Sequence, residues 1–551
     1  MQSKRSQTAR AGSILFTLLL TLVSPASAGL YTDSCGMVWT DASVPFEHNN
    51  ETAYNEELMA SYAPIMANLT EAPDLGNISW SAAFRETCAY MEERYAFTEW
   101  RGVDWDSLYA THAPKIADAE RNGDSAAYYR TLREFAYAIP DGHVMVVAPD
   151  DFGAKYADIG GGYGFAVGKI DSGNVIVTYV AAGSDAERAG VRFGDEVVSW
   201  NGQPVGEAID ATGIIWTSIK PSTAEGILLH KLRFLTRAPV GTPAEIGIAG
   251  PEDSIPRTVN LTATDDGYET LARTSIFLGR EVNDGTAGSS AELRAMLTNE
   301  TVTTRTLPGG IAYIAVYEES YDVYQPFKAA VETAIADGAP GIVVDLRFNR
   351  GGDDNLAAAY GGWFVDRPVF YEYGTTYDPG TGEQAVLWES WTQPRPDRYE
   401  GPVALLVSPY TISSGEGLPK VFAESGTGAI VSWYGTNGAF GMESLGPTLP
   451  PGVMTAFPAG ASLDENGKIQ VDSNVSMVGG VAPTVRVPLD RDTLARAMAG
   501  EDVQLSYAVE WIEAQAESTT AEPSAVPTQA AAGWVVVLGA IAILAVWLGR
   551  R

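Results

Sequence analysis

Cysteine and histidine, the side chains that most often bind transition metals, are both scarce in this chain. Its 551 residues include two cysteines, Cys35 and Cys88, and four histidines. No two histidines have the spacing of an HExxH helix, so we expect neither a zinc site nor another metal, and no cofactor. The two cysteines fall in the N-terminal region, where they could form a single disulfide if the chain is exported.

Basic residues are few relative to acidic ones. The chain has 36 Lys and Arg against 69 Asp and Glu, a formal net charge of −33 at pH 7. A surface of this sign repels nucleic acid and anionic lipid, so nucleic acid is excluded as a partner. We interpret the excess of acidic residues as a means of staying soluble.

The first 28 residues have the pattern of a secretory signal peptide. Lys4, Arg5 and Arg10 precede an apolar run at 14–23, and Ala26-Ser27-Ala28 follows it. This order predicts cleavage before Gly29 and an exported mature protein.

A second apolar segment lies at residues 530–549. It is uncharged, it has Trp534 and Trp547 near its ends, and its length suits a bilayer core of about 30 Å. A buried C-terminal helix of a soluble domain is the alternative, but the proline-containing stretch 515–529 is typical of a tether. We expect a transmembrane anchor and a location at the cell surface or in the periplasm.

Three regions of different composition lie between these ends, which predicts a multidomain α+β protein. Residues 29–145 carry helix-like apolar spacing, and residues 157–264 consist of short β-rich runs separated by glycine turns. Residues 300–495 alternate apolar strand-like runs with helical segments. Such alternation predicts an α/β core with a βαβ sheet and functional residues at the strand ends.

Two turns in this core could carry chemistry. The stretch 406–417 runs from an apolar strand through small residues into a helix, a place where a serine can be held exposed beside a free amide of the helix N-terminus. Taken alone, it could equally be a capping cluster. The stretch 345–353 also follows a buried strand, and its paired glycines allow close approach of the backbone to a ligand. Together they predict a shared site.

A reactive hydroxyl requires a base, and His143 is the best-placed histidine. It lies in the turn 139–144, between the helical region and the next strand, where it could project into a cleft between domains. His112 stands at a predicted helix end, and His48 and His230 have no motif around them. We therefore predict that His143 acts on the serine turn.

These pieces resemble, over residues 85–490, the C-terminal-processing or tail-specific serine peptidases, and more closely their tricorn-like branch. Residues 411–416 match the family's TASASE-like stretch, which implies that Ser413 is the nucleophile. Residues 345–352 match its DLRxNxGG stretch. The resemblance implies that Gly351 or Gly352 donates one N–H to the oxyanion and that Ser414 donates the other.

The β-rich region resembles a PDZ domain. The segment Gly162-Tyr163-Gly164-Phe165 matches the carboxylate-binding loop, and residues 189–195 match the characteristic helix and turn. PDZ domains bind an extended peptide end by strand addition. The resemblance thus implies polypeptide substrates recognised by their C-terminus.

One departure from the better-known branch bears on the base. Those enzymes place a general-base lysine after the serine, in a region where this chain has Gly438. Tricorn-like members use a histidine in a segment like that of His143, and an acid downstream of the serine. Four acids lie in that region, and Asp472 is favoured by spacing over the other three, Glu443, Asp464 and Glu465.

The sequence therefore predicts a serine endopeptidase that acts by acyl transfer. Two alternatives remain: a non-catalytic ligand-binding protein, because retinoid-binding repeats of the interphotoreceptor matrix resemble this core, and a scaffold whose PDZ-like module only docks partner tails. The sequence does not specify the oligomeric state or the natural substrate.

Overall fold

The computed structural model describes residues 72–274, apart from 252 and 254, and residues 302–520, together with a short strand pair, β1 (Leu30–Thr32) and β2 (Val38–Thr40). The predicted signal peptide (1–28), the predicted anchor (530–549) and Cys35 lie outside the described residues. Cys88 is buried and forms no disulfide with any described residue. Its pairing with Cys35 stays a prediction.

The first described region is helical, as predicted. Ser79, Asp104 and Asp124 cap its three longer helices by accepting a backbone N–H of the first turn. The helices are α1 (Trp80–Arg94), α2 (Thr98–Arg101), α3 (Trp105–Asn122) and α4 (Ser125–Ala138).

This helical region shares its hydrophobic core with a later part of the chain. Phe84, Met91 and Phe135 pack in one cluster with Val453 and Phe457. Strand β3 (Met145–Val147), which follows α4, pairs antiparallel with β21 (Met454–Gly460). The turn 139–144, which carries His143, is therefore held at both ends. We call these residues the base loop.

The second region forms a six-stranded antiparallel sheet in the order β11-β10-β7-β6-β5, with β8 paired to β7, and a small sheet β12-β4-β9. Helix α8 packs against β5, the last strand on one side of the larger sheet. The strands are β4 (Gly161–Gly162), β5 (Phe165–Lys169), β6 (Val175–Val180), β7 (Glu196–Trp200), β8 (Gln203–Pro204), β9 (Arg237–Ala238), β10 (Pro243–Ala249), β11 (Arg257–Thr262) and β12 (Thr264–Asp265). The helices are α5 (Ala154–Ile159), α6 (Asp185–Arg188), α7 (Val205–Ala211), α8 (Ala224–Leu235) and α9 (Glu269–Arg273).

The third region is the predicted α/β core. Its six-stranded sheet has the order β13-β14-β15-β18-β19-β23, parallel except at the β13 edge. The sheet consists of β13 (Val302–Thr306), β14 (Ala312–Val316), β15 (Ile342–Asp345), β18 (Val403–Leu406), β19 (Ala429–Ser432) and β23 (Val485–Arg486). The helices are α10 (Tyr321–Ala336), α11 (Asp354–Gly361), α12 (Gly417–Ser425), α13 (Arg491–Met498) and α14 (Val503–Thr520). The βαβ prediction is confirmed.

Two smaller sheets complete the core. One has the order β17-β16-β22 and the other β20-β21-β3. Their remaining strands are β16 (Val369–Asp378), β17 (Glu383–Thr392), β20 (Met442–Leu445) and β22 (Ser462–Leu463). The second sheet joins the helical region to the core.

The linker predicted from residue 515 was placed too early. Helix α14 continues to Thr520, because Ala508 and Ile512 bury its apolar face against the parallel sheet and stabilise the helix. The rest of that linker is not among the described residues. No helix within the described ranges has the length and apolar character needed to span a membrane.

Candidate active site

Ser413 lies at a strained turn beyond the carboxyl end of β18. It starts a 3-10 turn, Ser413–Glu416, that leads into α12. Its φ of 59° is in the left-handed region, which is uncommon for a residue other than glycine, and its N–H donates to Ala439 O at 2.8 Å. The side chain is half-buried. This geometry keeps a serine at the surface of the core with its backbone fixed.

The glycine-containing turn after β15 lies directly against Ser413. A Cβ at Gly351 would lie 2.5 Å from Ser413 Cβ, and one at Gly352 would lie 2.0 Å from Glu319 O. Asn349 fixes this turn, because its Nδ2 donates to Glu319 Oε1 at 2.7 Å and its carbonyl accepts from Ile412 N at 3.2 Å. These distances leave room only for glycine at 351 and 352. The contact between Gly351 and Ser413 shows that the two predicted turns lie against each other.

The amides near Ser413 differ in their hydrogen bonds. Gly351 N–H donates to Asn349 Oδ1 at 2.8 Å. No described residue accepts a hydrogen bond from the amide of Gly352 or Ser414. Ser414 Oγ donates to Gly352 O at 2.9 Å, which ties these two residues together. The amides of Gly352 and Ser414 are thus the two that a ligand beside Ser413 could use.

His143 lies in the base loop and is 3% exposed. Neither Nδ1 nor Nε2 has a hydrogen-bond partner among the described residues. The loop itself is well bonded, since His143 N–H donates to Asp141 Oδ1 at 2.9 Å and Gly142 N–H donates to Ser222 Oγ at 2.6 Å. A buried imidazole with two unpaired nitrogens is unusual and calls for a functional explanation.

The base loop and the serine turn meet at Ala439. A Cβ placed on Gly142 would lie 2.9 Å from Ala439 Cβ, and the carbonyl of Ala439 accepts the N–H of Ser413. Ser413 and His143 are therefore on neighbouring loops, and no hydrogen bond joins their side chains.

The environment of His143 favours the neutral imidazole. Burial lowers the pKa of His143 to about 4. The Asp141 carboxylate opposes this shift of the pKa, and the Arg101 guanidinium adds to it. His143 is therefore unprotonated at neutral pH and able to accept a proton.

Asp472 is buried and contacts Arg101, the same guanidinium that contacts Asp141. Its Oδ1 accepts from Arg101 Nη2 and from Phe440 N, both at 3.0 Å. Its Oδ2 is buried without a partner among the described residues. Burial raises the pKa of Asp472 to about 7, although the charge of Arg101 lowers it. One carboxylate oxygen is thus fixed and the other is unpaired.

The other three acids considered from the sequence are less enclosed. Glu443 and Glu465 are exposed, and Asp464 lies in a turn where its Oδ1 accepts from the amides of Asn466 and Lys468 at 2.8 Å. Although Glu443 is open to solvent, desolvation by the surrounding protein, and then the charge of Asp141, raises its pKa to about 7, so this acid also lies near the base loop. Among these four acids, Asp472 is the one hydrogen bonded to Arg101.

Sequence reasoning missed several residues that hold this site together. Glu416 is fully buried and accepts from Thr436 Oγ1, Gly438 N and Ala439 N. Burial raises the pKa of Glu416 to about 8. Its signal was present, since it ends the motif that contains Ser413. It anchors the loop 436–439, which carries Ala439.

Lys220 and Arg101 had no sequence signal. Lys220 is buried, and its Nζ donates to the carbonyls of Ala136 and Val144, on either side of His143. Burial lowers the pKa of Lys220 well below its usual range. Lys420, the lysine nearest to Ser413 along the chain, instead donates to Phe370 O and Glu424 Oε2.

The predicted carboxylate-binding loop, Gly162 to Phe165, is buried throughout. Gly162 pairs with Thr264 and Arg237, and Tyr163 N–H donates to Thr236 O at 3.3 Å. The loop leads into β5, which ends the larger sheet and, among the described residues, pairs only with β6. Peptide binding there stays a prediction.

Comparison with known proteins agrees with this fold and geometry. Residues 310–487 match the model of peptidase family S41, and residues 78–127 match that of the tricorn protease C1 domain. No curated protein matches the chain in sequence.

Among solved structures, mature CPAF superposes with a TM-score of 0.54 at 15% identity, covering 81% of this chain and 98% of that one. Mature CPAF complexed with lactacystin superposes with a TM-score of 0.52 at 14% identity, covering 80% of this chain and 99% of that one. At these identities the likeness shows a shared fold. Together with the family matches, it confirms the resemblance to C-terminal-processing peptidases and their tricorn-like branch.

Proposed function

We propose that this chain is an exported, membrane-anchored serine endopeptidase that cleaves unfolded or C-terminally exposed polypeptides. The observation that carries the catalytic part is the buried, unpaired imidazole of His143 on the loop next to Ser413. A neutral imidazole with both nitrogens unpaired can accept a proton, and a hydroxyl at a strained turn is a suitable donor of that proton. Export and anchoring are inferred from the two terminal segments of the sequence.

In the proposed reaction His143 takes the proton of Ser413 Oγ as that oxygen attacks the peptide carbonyl. The amides of Ser414 and Gly352 then stabilise the tetrahedral oxyanion, because neither donates to a described residue. Asp472 orients the imidazole through its unpaired Oδ2. The leaving amine takes the proton from His143, and water completes the second half of the cycle.

A small closing movement is part of this mechanism. Ser413 and His143 share Ala439 as a neighbour but are not hydrogen bonded to each other. Catalytic hydrogen bonds often tighten only when substrate binds. The PDZ-like region would supply that substrate by pairing a polypeptide C-terminus with the free edge of β5.

The test uses an unstructured polypeptide substrate with either a free or an amidated C-terminus. Ser413→Ala and His143→Ala should each lower kcat by several orders of magnitude. A serine-directed phosphonate fluoride should label wild type at Ser413. The free C-terminus should be preferred if the PDZ-like region binds it.

The Ser425→Ala variant, at the half-buried end of α12, serves as the matched control and should keep full activity. If Ser413→Ala or His143→Ala cleaved the substrate at the wild-type rate, the substituted residue would have no part in the mechanism. Absence of both cleavage and labelling in wild type would favour a non-catalytic binding protein.

A further inference from the structure

Arg101 ends helix α2 and lies in the middle of the site, with a side chain that is 0% exposed. Its Nε lies 3.2 Å from Asp141 Oδ2, and its Nη2 donates to Asp472 Oδ1 at 3.0 Å. It also donates to two backbone carbonyls, those of Pro140 in the base loop and Gly438 in the loop 436–439. One guanidinium thus contacts three separate segments of the chain.

Two consecutive residues of α2 hold Asp472. Trp100 Nε1 donates to its backbone carbonyl at 3.3 Å, while Arg101 binds its carboxylate. Because Arg101 and the N–H of Phe440 both use Oδ1, the orientation of the carboxylate is fixed. Oδ2 is left as the atom available to another donor.

The base loop is held by the same guanidinium. Asp141, which contacts Arg101, accepts the N–H of His143 and also accepts from Tyr95 Oη at 2.7 Å. A displacement of Arg101 would therefore move the loop that carries His143 and release the carboxylate of Asp472 together.

We propose that Arg101 is the positioning residue that holds the base loop and Asp472 in one geometry. The inference rests on the proposed function, in which His143 and Asp472 act together on Ser413. Arg101 is enclosed on all sides, so it acts through these two residues and contacts no substrate. Its guanidinium is planar and has N–H donors on several nitrogens, so one side chain can bind two carboxylates and two backbone carbonyls.

A merely structural ion pair would give a different result, since removing one partner of a buried pair destabilises any protein. The test therefore compares Arg101→Met with Arg130→Met in the full chain. Arg130 lies on α4 of the same region and forms a bidentate ion pair with Asp158 at 2.7 and 2.8 Å, away from the site. Arg101→Met should lower kcat at least about a hundredfold with little change in KM, and Arg130→Met should leave both within twofold.

The double variant Arg101→Met/Asp472→Asn provides the decisive comparison. If Arg101 acts in part through Asp472, adding Arg101→Met to Asp472→Asn should slow the enzyme by a smaller factor than Arg101→Met does in wild type. Multiplying effects would overturn the proposal, as would an Arg101→Met enzyme with wild-type kcat. Where Arg101→Met fails to fold, Arg101→Lys replaces it. Lysine keeps the charge but cannot bridge both carboxylates, so it should fold and still lose kcat; full activity would overturn the proposal.

A readout that needs no turnover separates this inference from the proposed function. The chain has four histidines, so histidine-selective carbon NMR can follow His143, assigned by its loss in His143→Gln. Its resonance at fixed pH should shift in Arg101→Met and stay in place in Arg130→Met. An unmoved resonance would overturn the positioning role even in an active enzyme. A moved resonance in a protein without serine-dependent cleavage would instead count against the proposed function alone.

Discussion

At the scale of single residues, the site is defined by polar atoms that burial leaves unpaired. Both nitrogens of His143 and Oδ2 of Asp472 are enclosed without partners in the part of the chain that the structure describes. Each such group costs free energy comparable to a lost hydrogen bond, about 1–3 kcal/mol. Proteins retain buried polar groups without partners mainly where those groups take part in binding or catalysis.

The pH dependence of kcat/KM follows from these environments. The pKa of His143 is about 4 and that of Asp472 is about 7, so His143 is already neutral where Asp472 begins to ionise. Activity needs a neutral base and an ionised acid, so it should rise with pH through about 7 in wild type. Asp472→Asn should be much slower, and its remaining rate should rise nearer pH 4. A pH profile whose acidic limb stays at 7 in Asp472→Asn would contradict this assignment.

At the scale of elements, the serine turn is held by the loop 436–439, which approaches it from another strand connection. Glu416 follows Ser413 in the 3-10 turn and accepts from two amides of that loop. In return Ala439 O accepts the N–H of Ser413. Ser413 is thus fixed by a reciprocal set of hydrogen bonds between two irregular segments, rather than by the sheet alone.

Glu416→Ala should disturb this set of bonds without touching Ser413. Two buried amides and one hydroxyl lose their acceptor, so the free energy of unfolding should fall by about 1–3 kcal/mol for each unsatisfied group. The displaced turn should lower kcat about a hundredfold. Glu332→Ala, which removes an ion pair with Lys328 on α10 in which both side chains are partly exposed, is the control for both denaturation and kinetics. Normal kcat in Glu416→Ala would show that the turn holds its shape without this acceptor.

At the scale of the whole molecule, the site is assembled where all three regions meet. The helical region supplies Arg101 and the base loop, the core supplies Ser413 and Asp472, and the β-rich second region supplies Lys220 and Ser222. Asn437 joins them, because its Nδ2 donates to Lys220 O at 3.1 Å and to Pro409 O at 2.9 Å. The base loop therefore depends on the β-rich second region as well as on its own helices.

Asn437→Ala should loosen this junction. We expect a fall in kcat/KM of about tenfold or more, because His143 would lose a fixed position relative to Ser413. The exposed Asn260→Ala, on β11 of the second region, should behave as wild type. Kinetics and thermal denaturation of both variants check the prediction. Equal activity of the two would mean that the junction does not affect catalysis.

The sequence alone determined what depends on local pattern. Strand-like and helical runs predicted the βαβ core, and the motifs around Ser413 and Gly351 predicted two turns that the structure does bring together. The predicted start of the linker at residue 515 shows what local pattern cannot determine. The residues there are compatible with either a helix or a linker, and they form a helix because its apolar face packs against the sheet.

Tertiary structure decided the rest, because those interactions join residues far apart in the chain. Arg101 and Asp472 are 371 positions apart, and no spacing rule links them. Which glycine amide is available to a ligand likewise depended on Asn349. Its Oδ1 accepts the N–H of Gly351, whereas the N–H of Gly352 donates to no described residue. Pattern determines which segments can form turns and strands, whereas burial and hydrogen-bond competition decide which atoms in those turns remain free to react.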